Sequence, residues 1–112
     1  MGEQTPLEIR FEAAMYAAYE SWNREVGYRA TRFHQMLPRH GGVETARRLL
    51  RKPGLSAGFE RLLEEGRLDL TMEYIVLRPE YGTLFTPQER AQARRRLVEN
   101  GMRREQLPSE PY

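Results

Sequence analysis

The sequence predicts an all-α fold, a compact orthogonal bundle of about five or six short helices with a longer helix at its N-terminal end. Three observations carry this expectation. Apolar residues between Leu7 and Val26 recur every three or four positions. Proline and glycine divide the remainder into helix-sized pieces. The segment Thr86-Pro87-Gln88-Glu89 has the form of a capping box with proline at the first helical position.

The first predicted helix covers 6–26. Leu7, Phe11, Met15, Ala18, Trp22 and Val26 form one stripe along it. Thr5-Pro6 offers an N-cap followed by a helix-compatible proline. Glu8 and Glu12 lie toward the positive end of the helix dipole, and Gly27 is a natural stop. A second helix is expected over 30–37, with Phe33, Met36 and Leu37 inward. Pro38 is expected to end it, because the residue before proline resists helical dihedrals. Gly41-Gly42 then opens a third over 43–52, with Val43, Ala46, Leu49 and Leu50 on one face, closed by Pro53-Gly54. A fourth runs over 57–65, capped by Ser56 and ended by Gly66. Phe59, Leu62 and Leu63 face inward. The fifth, over 70–78, has Asp69 or Thr71 as its cap and is apolar nearly all round. It reads as a buried central helix or a strand, and modest β-branching with Asp69 ahead of Leu70 favours helix. The last helix runs from the capping box to about residue 99, where Asn100-Gly101 supplies a left-handed stop. Residues 1–104 therefore read as one domain and 105–112 as a loose tail.

The 112 residues are enough to bury a core in a single domain. With no cysteine, disulfides, thiolate metal sites and thiol nucleophiles are excluded. No apolar run approaches a membrane span. Met1-Gly2-Glu3-Gln4 lacks the basic-then-apolar order of a secretory signal, and Pro6 stands where a myristoylation motif needs serine or threonine. These features suit the cytoplasm.

The cations are 17 arginines and one lysine, Lys52. A GC-rich genome is the plain source of such a bias. Arginine also suits phosphate and carboxylate recognition through its planar fork. Charge alternates along the chain. Residues 1–27 carry −3, 28–54 carry +6, 55–85 carry −3, 86–104 carry +4 and 105–112 carry −2. Such blocks either pair inside a bundle or leave opposed basic and acidic faces; partial internal pairing is the favoured reading.

Catalytic groupings are scarce. His34 and His40 are six apart with Pro38 between them, and no second ligand stands at zinc-site spacing. Ser21, Ser56 and Ser109 lack a nucleophile-elbow setting. Glu64-Glu65 points in two directions about 100° apart. Gly41-Gly42 before a helix invites a phosphate-site reading, but a P-loop lysine is missing and a tight turn explains it. No catalytic residue, metal ligand or cofactor is therefore expected. Tyr16, Tyr19, Trp22 and Tyr28 form an aromatic group, and Trp22, Tyr28 and Phe33 can meet across the first turn, either as packing or as a binding platform.

Two basic stretches are candidates for contact with nucleic acid or an acidic partner protein. One contains Arg47, Arg48, Arg51 and Lys52; the other contains Arg90, Arg94, Arg95 and Arg96, with Arg103 and Arg104 beyond the helix stop. The competing reading is a pair of solvated faces, paired with Glu44, Glu89 and Glu99 and favoured by helix dipoles.

The chain from Tyr28 to Val98 resembles an uncharacterised small bacterial domain. The resemblance is carried by Thr31-Arg32-Phe33-His34-Gln35-Met36-Leu37 and Gly41-Gly42-Val43-Glu44-Thr45-Ala46-Arg47-Arg48-Leu49-Leu50. It continues through Gly58-Phe59, Gly66-Arg67-Leu68-Asp69-Leu70-Thr71-Met72-Glu73, Pro79-Glu80-Tyr81 and Leu84-Phe85-Thr86 with Glu89. That family has no established activity, and its usual aromatic near position 63 is Leu63 here. The resemblance draws attention to Arg67, Asp69 and Glu73 as a polar contact site at a junction between helices. The leading expectation is a non-enzymatic accessory module binding a protein or a nucleic acid. The alternatives are a metal-assisted hydrolase using Asp69, Glu73 and a histidine, and a self-associating structural domain.

Overall fold

Helix α1, Pro6–Val26, begins where Thr5 Oγ1 accepts from the Glu8 amide at 3.1 Å and the Glu8 carboxylate accepts from the Thr5 amide at 2.8 Å. This reciprocal cap satisfies two otherwise orphaned amides. Its stripe buries Phe11, Met15, Ala18 and Trp22, while Leu7 and Val26 are half-buried at the ends. Gly27, at φ 68°, turns the chain out of the helix. The structure, a computed structural model, describes residues 3–109.

Five more α-helices follow among the described residues: α2 Thr31–His40, α3 Gly42–Arg51, α4 Ala57–Glu64, α5 Met72–Val76 and α6 Pro87–Glu99. Among the described residues there is no strand, and short 3-10 turns occupy Leu68–Leu70, Pro79–Tyr81 and Arg104–Gln106. Helix α2 does not stop at Pro38 as its sequence suggests. Proline in a final turn removes only its own amide bond, and the helix closes two residues later, where the Gly41 amide reaches the Leu37 carbonyl at 2.8 Å. The apolar 70–77 segment is helical, but shorter than expected. Thr71 caps α5 by accepting from the Tyr74 amide at 3.2 Å, whereas Asp69 belongs to the preceding 3-10 turn. Met72, Ile75, Val76 and Leu77 are all buried, which explains a segment without a polar face.

The core joins these helices around Phe11, which meets Tyr81 and Phe85 edge-on with centroids 5.1 Å away in each case. Helix α3 lies against α1 so closely that a Cβ on Gly42 would sit 2.7 Å from the Glu12 Cα. The expected capping box of α6 is present at Thr86 and Glu89, and Gly101 provides its left-handed stop. The expected loose tail is partly structured. Arg104–Gln106 form a 3-10 turn and Leu107 packs on the core; Glu110, Pro111 and Tyr112 lie outside the described residues.

Candidate binding cavity

Where α1 ends, Trp22 is held by a hydrogen bond from its indole Nε1 to the Leu70 carbonyl at 2.7 Å. Phe33 of α2 packs on it with ring centroids 4.8 Å apart. Tyr28, from the connection between these helices, lies near Gly58 of α4 and beneath the Arg61 guanidinium. These rings, with Phe59 and Leu62 of α4, wall a partly open cavity of about 290 Å³. That is the low end of ligand-sized clefts, suited to one side chain or a small aromatic molecule. Exposed Arg32 and Lys52 lie among its lining residues, as does buried Glu73. The meeting of Trp22 and Phe33 across the first turn was legible in the sequence; the walls from α4 and α5 were not.

Glu73 is 2% exposed. Its Oε2 accepts from Arg96 Nη1 at 3.0 Å. Arg96 also donates to the carbonyls of Leu49 and Leu50, each at 3.2 Å, and of Lys52 at 2.7 Å. It thus caps the C-terminus of α3 while neutralising a carboxylate on α5, so α3, α5 and α6 share one buried polar network. Burial pushes the Glu73 carboxyl above the ordinary carboxylate range, against the opposing effects of its own amide and of Arg96.

The other polar junction residues part company with Glu73. Arg67 pairs with Asp69 through two hydrogen bonds, at 3.1 and 3.2 Å, and reaches Glu25 at 3.0 Å. Hydrogen bonding to Asp69 and then Glu25 raises the Arg67 pKa further. This cluster is at the surface and Glu73 is inside, so the three do not form one contact site. The proposed hydrolase grouping is not assembled either. Asp69 is tied to Arg67, Glu73 to Arg96, and His34 stacks on Tyr19 at 4.3 Å. Among the described residues no cluster of three His, Cys, Asp or Glu is placed to hold a metal ion.

The basic stretches also divide. Arg90 is 8% exposed and donates to the Val76 and Leu77 carbonyls at 3.0 and 3.3 Å, so it caps α5. This removes Arg90, like the buried Arg96, from the candidate contacts with nucleic acid or an acidic partner. Arg47 is half-buried, donates to the Leu84 carbonyl at 2.9 Å and lies 3.5 Å from Glu89. Arg48 and Arg51 are exposed and share Glu44, at 3.2 and 3.7 Å. Arg94 and Arg95 border a shallow groove between α6 and the segment 107–109. The start of α3, read as a possible phosphate seat, is occupied from within: Glu12 accepts from the Gly42 amide at 2.9 Å.

No helix among the described residues is long and apolar enough to cross a membrane. Searches of protein-family models, curated proteins and solved structures give no match.

Proposed function

We propose that this chain is a non-enzymatic interaction module that receives an acidic segment of a partner protein, with one bulky apolar side chain of that segment seated in the aromatic cavity. The observation that carries this reading is the cavity itself. It is walled by Trp22, Tyr28, Phe33 and Phe59, with Arg32 and Lys52 exposed among its lining residues. Binding energy at protein interfaces concentrates in such anchors, while charges around the opening set orientation and encounter rate. A volume of about 290 Å³ fits a single anchor better than an extended cofactor. A cytoplasmic setting is part of this reading.

Nucleic acid is the weaker occupant. Generic affinity for it grows with the number of phosphates neutralised. Here Arg90 and Arg96 are buried in helix caps, and Arg48 and Arg51 share a carboxylate.

Trp22 is the only tryptophan, so its fluorescence reports on the cavity. The test titrates the protein with a blocked pentapeptide carrying leucine between pairs of glutamates, and with its alanine counterpart. The leucine peptide is expected to perturb Trp22 with a dissociation constant below about 1 mM. It should weaken in Arg32→Ala/Lys52→Ala, and the alanine peptide should bind more weakly still. Absence of binding by either peptide, or tighter binding of generic single-stranded DNA or RNA at low salt, would overturn the proposal.

A further inference from the structure

Resting on the reading of the cavity as an anchor site, we infer that Glu73 is its specificity determinant and that the anchor it selects is a neutral aromatic with a hydrogen-bond donor at its tip, a tyrosine side chain in an acidic segment. A purely apolar socket would accept leucine and phenylalanine alike. This one includes a carboxylate among its lining residues. Glu73 is 2% exposed, and Arg96 donates to its Oε2. An ionised carboxylate offers about four acceptor positions. Arg96 and the residue's own amide engage part of that capacity. We assign the remaining lone pairs to the donor of an inserted side chain.

Ser56 and Thr71, the two aliphatic hydroxyls of the lining, are each committed to a helix cap. Ser56 Oγ accepts from the Phe59 amide at 3.1 Å. Thr71 Oγ1 donates to the Leu68 carbonyl at 2.8 Å and accepts from the Tyr74 amide at 3.2 Å. Charge then decides which donor is taken. Arg96 neutralises Glu73, and Arg32 and Lys52 add positive charge to the lining, so an ammonium or guanidinium tip is disfavoured. A phenol donates without bringing charge. Its ring meets Trp22, Phe33 and Phe59, while acidic flanking residues meet Arg32 and Lys52.

The test compares three blocked pentapeptides whose central residue, between pairs of glutamates, is tyrosine, phenylalanine or O-methyltyrosine. Trp22 fluorescence and amide chemical shifts of Gly58 and Met72 are the readouts. The tyrosine peptide is expected to bind about fivefold more tightly than the phenylalanine peptide, the ratio expected of one net hydrogen bond. O-methyltyrosine should bind no better than phenylalanine, because its donor is gone. In Glu73→Gln, where the acceptor is no longer charged, the tyrosine advantage should fall to about twofold. Equal binding of tyrosine and phenylalanine peptides would overturn the role of Glu73 while leaving the anchor site standing. Failure of all three to bind would remove both. The wild-type comparison keeps the proposal open to refutation even if Glu73→Gln does not fold.

Discussion

Replacing Arg96 by methionine should be among the most damaging single changes in this molecule. The arginine is almost wholly enclosed, with a side chain 6% exposed, and its partner Glu73 is 2% exposed. Methionine keeps the apolar stem and removes four donated hydrogen bonds, one to Glu73 and three to the end of α3. Breaking a buried ion pair from one side costs about 3–5 kcal/mol, because the remaining charge is uncompensated. The α3 carbonyls add to this, less so where water reaches the exposed Lys52. A loss of about 4 kcal/mol is a large part of the roughly 5–15 kcal/mol that stabilises a small domain. The loss should depend on pH. Burial already raises the Glu73 pKa, and removing Arg96 takes away two influences that lower it. A carboxyl with a raised folded-state pKa contributes stability below its unfolded value, and this is lost as pH rises through the folded value. Arg96→Met should therefore be penalised more at pH 7 than at pH 5. Urea denaturation of both proteins at the two pH values measures this. The double variant Glu73→Leu/Arg96→Met should recover about 2 kcal/mol relative to Arg96→Met at pH 7, since an apolar pair avoids the lone buried charge. A single-variant loss under about 1 kcal/mol, or one equal at both pH values, would refute the account of this network.

Two glycine substitutions should differ in size and sign. Gly42→Ala places a Cβ 2.7 Å from the Glu12 Cα, which α1 can relieve only by moving, so thermal unfolding should show a loss of about 2–3 kcal/mol. Gly58→Ala meets Tyr28 and Trp22 at 3.7 and 3.9 Å, ordinary contact distances, and should match or exceed the wild type by up to about 1 kcal/mol through helix propensity. Thr86→Ala removes the hydroxyl that accepts from the Glu89 amide at 3.1 Å and should cost about 1 kcal/mol in urea denaturation. Arg67→Ala, in a surface ion-pair cluster, should leave the melting temperature unchanged at moderate salt.

The helices were readable from local signals, although α2 continues past Pro38 and α5 is shorter than its apolar run. Periodicity and caps are local properties, and Thr86 to Glu89, Gly27, Gly66 and the Leu7 to Val26 stripe act within a few residues of themselves. The Trp22–Phe33 meeting was also legible, since only a short turn separates α1 from α2. Tertiary structure decided which charged residues were at the surface. Arg90 and Arg95 look alike in a basic run, yet one caps α5 and the other is exposed. Glu73 follows Asp69 by four residues, yet the first 3-10 turn and the Thr71 cap turn it inward to Arg96, 23 positions away in sequence. A charged side chain shows no periodic sign of its partner, because its burial is set by which carbonyl ends and carboxylates other helices bring to it. The all-helical frame was thus written locally, while the cavity came from packing α2, α3, α4 and α5 around the end of α1, and the buried pair from bringing α6 to α5.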